Sequence, residues 1–109
     1  MHELSITRSI VDLVAERAAG ATVHVVRLEI GKLSAIMPDA IRFCFDICAQ
    51  DTVLDGAQLD IIEIPGRGRC RRCGGEFAME DFLAQCQCGS IDIECIDGKQ
   101  LKIKEMEVA

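Results

Sequence analysis

The sequence predicts an α+β fold, two helices packed on a three-stranded sheet with an inserted four-cysteine ribbon. Three observations predict it. Two stretches carry apolar residues at helical spacing, three others alternate with a period of two, and four cysteines crowd into a segment where both periods are lost. At 109 residues the chain is one domain, or a domain with a small insert. Half of its residues are hydrophobic, yet it has no Trp or Tyr and only 4 Phe, so the core must be built from Ile, Val and Leu.

Residues 4–19 read as the first helix. Ile6, Ile10, Val11, Leu13, Val14 and Ala18 form one stripe, Arg8, Asp12, Glu16 and Arg17 lie mostly opposite, and Gly20 stops it. Residues 22–30 switch to alternation, with His24, Val26, Leu28 and Ile30 on one face and Val23, Val25, Arg27 and Glu29 on the other, and Gly31 ends the strand. Pro38-Asp39 opens a second helix, proline being tolerated in the first turn because its missing N–H has no partner there. Ile41, Cys44, Phe45 and Cys48 make that helix's buried face. Asp55-Gly56 marks a turn, and Leu59, Ile61, Ile62 and Ile64 mark a strand over 57–64.

Pro65-Gly66-Arg67-Gly68 is the clearest boundary, and Asp97-Gly98 is a second turn signal. Beyond it Leu101, Ile103, Met106 and Val108 predict a terminal strand whose period slips near Glu105, the mark of a bulge. That strand is expected to pair with the strand at 57–64, leaving the cysteine module at the tip of a hairpin. The expected division is therefore residues 1–64 plus 97–109 for the α+β domain and residues 65–96 for the module.

Within the module Cys70, Cys73, Cys86 and Cys88 are spaced C-x2-C-x12-C-x-C, with Cys73-Gly74-Gly75 and Cys88-Gly89 following. Two tight turns, each presenting a pair of sulfurs, suit tetrahedral Zn²⁺, whose thiolate bonds are about 2.3 Å long. An all-thiolate site has no open position, so its expected role is structural, and metal binding must supply most of the folding free energy of so small a module. Iron in an electron-transfer site is the rival, and Cys95 is an alternative ligand because the Cys86-Gln87-Cys88 pair is tight. Cys44 and Cys48 fit as small buried hydrophobes.

Seven cysteines do not make a disulfide framework: the count is odd, four have metal-ligand spacing, and two lie on an apolar helix face. The charged N-terminal segment is unlike a signal peptide, and no apolar run approaches the roughly 18 residues that span a bilayer, so a reducing cytoplasm is expected. A net charge of −6 repels phosphate backbones. Arg67, Arg69, Arg71 and Arg72 are a basic run beside the first knuckle, but with no aromatic residue to stack on bases they are expected to offset thiolate charge. With 2 His and no nucleophile–base pattern, the chain is not expected to be an enzyme.

The amino terminus, Met1-His2-Glu3, carries a different chemistry. A terminal amine, the amide nitrogen of His2 and its imidazole can reach one ion in fused chelate rings. Amines and deprotonated amides favour square-planar Ni²⁺ or Cu²⁺ over Zn²⁺ or Mg²⁺. His24, on a strand, is expected to be structural.

Met1-His2-Glu3-Leu4-Ser5 opening a helix, Leu28-Glu29-Ile30-Gly31 ending a strand, Phe43-Cys44-Phe45-Asp46 in the second helix and the cysteine module after them resemble the HypA/HybF family of nickel metallochaperones over essentially the whole chain. The resemblance implies nickel bound at Met1, His2 and Glu3, with Glu3 acting through its amide or offering its carboxylate to a partner. It implies structural zinc at Cys70, Cys73, Cys86 and Cys88, and it implies two partners, a HypB-type accessory GTPase and the [NiFe]-hydrogenase large subunit. Many members have C-x-x-C where this sequence has Cys86-Gln87-Cys88.

Overall fold

A computed structural model describes residues 2–109. In chain order its elements are α1 (His2–Ala18), β1 (Val23–Gly31), α2 (Pro38–Ala49), β2 (Gln58–Ile64), β3 (Gly66–Cys70), β4 (Glu76–Met79), β5 (Ile93–Asp97) and β6 (Leu101–Val108). The fold class is the α+β arrangement that the periodicities predict, with two sheets of three strands, β2-β1-β6 and β4-β3-β5.

The chain forms two compact units. One comprises the chain up to Leu28, Ile36–Ile62 and Lys102–Ala109; the other comprises Glu29–Ala35 and Glu63–Leu101.

In the first unit α1 packs on α2. The core is aliphatic apart from Phe45: Ile10, Val11 and Val14 from α1, Val26 and Leu28 from β1, Ile41, Phe45 and Cys48 from α2, and Leu54 beyond it. The helical stripe holds with two exceptions. Leu13 is 51% exposed, and Thr7, not part of the apolar pattern, is fully buried because its hydroxyl satisfies itself locally, donating to the Glu3 carbonyl at 2.6 Å. In β1 the alternation runs through Val26, Leu28 and Ile30, but His24 is exposed and Val23 buried, so the strand's entry does not share the phase of its body.

One expectation about pairing is corrected. β6 does not join β2; both flank β1, which is the central strand. The residues give the reason. β1 is the most buried strand of the three, so both its edges must be covered. Its outward Arg27 also needs acidic neighbours on both sides. It meets Asp60 of β2 at 3.4 Å, and Glu105 (3.4 Å) and Glu107 of β6. The chain between β2 and β6 therefore leaves from one edge strand and returns to the other. The slip near Glu105 is visible in β6, where half-buried Leu101 and Ile103 are followed by Met106, with Lys104 and Glu105 both exposed between them.

In the second unit β3 is a strand that apolar periodicity could not reveal. Its sequence is Gly-Arg-Gly-Arg-Cys, and its inward positions are Gly66, Gly68 and Cys70. Glycine is required there, because a Cβ at Gly66 would stand 2.5 Å from the Met79 carbonyl oxygen and 2.5 Å from a Leu33 methyl. β4 and β5 pair antiparallel on either side of β3, with Gly68 opposite Phe77 and Cys95 respectively.

Candidate metal centres

The end of β3 and the loops beyond it build a four-thiol cluster. Cys70 is the last residue of β3, Cys73 follows one turn later, and Cys86 and Cys88 come from the loop between β4 and β5. Each pair is folded back by its own backbone. In the first knuckle the Gly74 N–H donates to the Cys70 carbonyl at 2.8 Å and the Cys70 N–H to the Gly75 carbonyl at 2.8 Å. In the second, the Gly89 N–H donates to the Cys86 carbonyl at 2.9 Å and the Cys86 N–H to the Ser90 carbonyl at 3.0 Å. Gly74 and Gly89 have φ of +78° and +94°, the left-handed conformation these reversals demand.

The four sulfurs lie within 4.8 Å of one another. Cys70 Sγ is 3.6 Å from Cys88 Sγ, and Cys73 Sγ is 3.5 Å from Cys86 Sγ. A tetrahedron with bonds of about 2.3 Å has edges of about 3.8 Å, so this donor set fits a single zinc ion in size and in chemistry. Backbone amides point at the sulfurs: the Cys73 N–H at Cys70 Sγ (3.4 Å) and the Gly75 N–H at Cys73 Sγ (3.4 Å). Such donors stabilise thiolates. The Cys73 N–H, and secondarily the Arg72 N–H and the neighbouring thiols, bring Cys70 down to about 6 against burial. Cys86 receives the Cys88 N–H, but burial and the surrounding sulfurs outweigh it and push its thiol up to about 11.

Cys95 is not among the clustered sulfurs. Its Sγ is turned to the Asp97 carbonyl at 3.3 Å. Cys48 is buried in the helical core and Cys44 half-buried beside it.

Three of the four arginines in the basic run pair with carboxylates. Arg67 and Arg69 both reach Glu76 (3.4 and 3.1 Å), Arg69 also lies 3.8 Å from Glu94, and Arg71 meets Asp92 at 3.0 Å. The expectation that the run offsets thiolate charge is revised for three of its members: Arg67 and Arg69 are partners of carboxylates on the neighbouring strands of the ribbon sheet, and Arg71, just beyond β3, meets Asp92. Held this way, Glu76 stays below the ordinary carboxylate range, chiefly through Arg69.

The amino-terminal motif lies on α1. Met1 is outside the described residues; His2 is the first residue of the helix and is exposed, and Glu3 is half-buried behind it. The Glu3 carboxylate is held low by its own backbone N–H and next by that of Met37, the N-cap of α2, which has no cap from its own side chain. That tie between the starts of the two helices gave no sequence signal, because it joins residues far apart in the chain. His24 is exposed on β1 and lies outside the four-thiol cluster.

A helical α+β unit joined to a ribbon with a four-thiol cluster defines a class of small proteins that carry a built-in metal module. Known proteins narrow the class. The family described as "Hydrogenase/urease nickel incorporation, metallochaperone, hypA" matches residues 1–108, and the chain belongs to this HypA family. It is 62% identical over 108 residues to the hydrogenase maturation factor HypA of Nostoc punctiforme, covering 99% of this chain and 96% of that protein. With its namesake from Geobacter metallireducens it shares 47% identity over 109 residues, covering 99% of each. Among solved structures, the solution structure of a HypA protein superposes with a TM-score of 0.74 at 24% identity, covering 100% of this chain and 97% of that one. The nickel metallochaperone HypA from Helicobacter pylori superposes with a TM-score of 0.69 at 23% identity, covering 97% and 96%. Among the described residues no helix is long and apolar enough to cross a membrane.

Proposed function

We propose that this chain is a cytoplasmic, non-enzymatic nickel carrier that binds Ni²⁺ at Met1, His2 and Glu3 and hands it to the [NiFe]-hydrogenase large subunit, with a HypB-type GTPase as its accessory partner. The observation that supports the reading most directly is the position of His2 and Glu3 in the first turn of α1. Backbone N–H groups in a first turn have no intrahelical acceptor, so deprotonating them for metal costs no helix hydrogen bond. The Glu3 amide gives up only a contact with its own carboxylate. The His2 imidazole, exposed on the same turn, reaches an ion without unfolding anything. Exposure also leaves one side of the ion open to an incoming acceptor ligand, which is what transfer requires.

Cys70, Cys73, Cys86 and Cys88 would hold zinc. Bound there, zinc supplies a fixed cross-link between the two knuckles and no reactive coordination position. The domain assignment follows: residues 1–64 plus 97–109 as the nickel-binding part, residues 65–96 as the zinc-binding part.

The test is a Ni²⁺ titration of zinc-loaded protein with a native, untagged amino terminus, beside His2→Ala. The native chain is expected to bind one equivalent with the absorption of planar nickel, and the variant none, with zinc content and helix signal unchanged. Equal binding by both would refute the assignment.

A further inference from the structure

Met37 and Pro38 open α2 without the means to cap it. The Ile41 N–H donates to the Met37 carbonyl at 3.2 Å, so the ladder of the helix starts there and the N–H groups before it need acceptors from elsewhere. Proline has no N–H to satisfy, and the methionine side chain makes no cap bond. In a capping box a Glu or Gln three residues after the N-cap reaches back to the N-cap N–H, but that position here is Ala40, whose methyl accepts nothing. The acceptor comes from α1 instead: the Glu3 carboxylate takes the Met37 N–H. The box is completed by a residue of another helix.

Both ends of this bridge are held. Thr7, fully buried, donates its hydroxyl to the Glu3 carbonyl at 2.6 Å, which fixes the first turn of α1 against the core. On the other side Ala35 has a φ of +63°, a left-handed conformation uncommon for a residue other than glycine. The turn into α2 therefore persists only because contacts around it hold it, and the bond from Met37 to Glu3 is one of them.

On the nickel reading proposed above, this carboxylate changes partners. In the nickel-free chain it is shared by its own N–H and the Met37 N–H. When the Glu3 amide nitrogen binds Ni²⁺, its N–H bond breaks, the proton passes to water and an N–Ni bond takes its place. The carboxylate thereby loses its local donor and keeps the Met37 N–H. A terminal amine, two amide nitrogens and an imidazole already fill a square plane, so no in-plane position is left for it. We infer that the Glu3 carboxylate is a positioning residue and not a nickel ligand: it caps α2 from α1, and nickel loading concentrates it on the Met37 N–H, so that occupancy of the amino terminus is felt in the first turn of α2. This rests on Glu3 binding nickel through its amide.

Amide exchange at Met37 tests it in the full, zinc-loaded chain with a native, untagged terminus. The Met37 N–H should be protected without nickel and should exchange several-fold more slowly with one equivalent bound. Glu3→Ala should lose roughly tenfold or more of that protection in both states, the worth of a hydrogen bond to a charged group, and should bind nickel more weakly with the planar absorption unshifted. Glu3→Gln, whose amide oxygen accepts the same bond, should recover most of the protection and of the affinity, which it could not do for a lost carboxylate ligand. Loss of the planar absorption in Glu3→Ala would overturn the inference, as would a Met37 exchange rate in the native chain that nickel does not slow. A native chain that takes up no nickel would overturn the carrier reading and the coupling with it. Fast Met37 exchange in the nickel-free native chain, unchanged by Glu3→Ala, would overturn the cap and leave the carrier reading standing.

Discussion

Within the four-thiol cluster, Cys70 and Cys86 differ more in acidity than their chemistry alone would allow. Cys70, under the Cys73 amide, sits at about 6, and Cys86 is pushed up to about 11. In the metal-free protein at neutral pH the first is therefore a thiolate and the second a thiol. Zinc binds thiolates, so loading must expel the Cys86 proton, and apparent affinity rises with pH. Below about 6 Cys70 is protonated as well, and one more proton must leave for each ion bound. The logarithm of zinc affinity should fall with acid throughout and steepen by about one unit per pH unit below that point. Chelator competition across this range measures it, and a profile without the break would mean that Cys70 is not the acidic member. The spacing of the cysteines made the cluster legible in the sequence. This division of acidity was not, because it depends on which amide faces which sulfur.

At the scale of the elements, the helices and β1 were readable because each buries one apolar face. The order of the first sheet was not, since pairing β6 with β2 is equally compatible with the apolar pattern. The deciding residue is Arg27, whose three carboxylates come from both neighbouring strands. Replacing it with Gln should leave those carboxylates facing one another without a cation. The melting temperature should drop, and the drop should shrink as salt is added. Thermal melts at two salt concentrations check the cause, because repulsion between exposed charges is screened. In the second sheet β3 was hidden because two of its three inward residues are glycines. Gly66→Ala should therefore be costly despite its small size: the added methyl meets the backbone oxygen of Met79, which cannot turn away as a side chain would. Overpacking of this kind typically costs about 1–3 kcal/mol. The loss should appear as faster amide exchange in β3 and β4 with α1 and α2 unaffected.

The whole molecule consists of two units that hold themselves together by different means. The helical unit has an aliphatic core of fully buried side chains, Val11, Val26, Leu28, Ile41 and Leu54 among them. The ribbon unit buries far less: Ile30, Leu33, Cys70, Met79 and Cys86 are its buried apolar residues, while Phe82, Leu83 and Ile91 stand in solvent at 59%, 91% and 79% exposure. A unit of that composition cannot offset its chain entropy by burial alone. If the four thiols hold zinc, the metal must supply the difference. Cys73→Ala removes one ligand from a position exposed enough that no cavity results, so its effect isolates the metal's contribution. The variant is expected to purify without zinc and to lose dispersed amide signals from Glu63–Leu101, while those of α1 and α2 stay where they are in the native spectrum. Zinc stripped from the native chain with a strong chelator should give the same pattern, and adding zinc back should reverse it only where all four cysteines are present. If the ribbon signals survived in the zinc-free variant, its hairpins would be stable on their own. If the helical signals were lost together with them, the two units would fold as one, and the nickel site proposed at α1 would depend on metal in the ribbon.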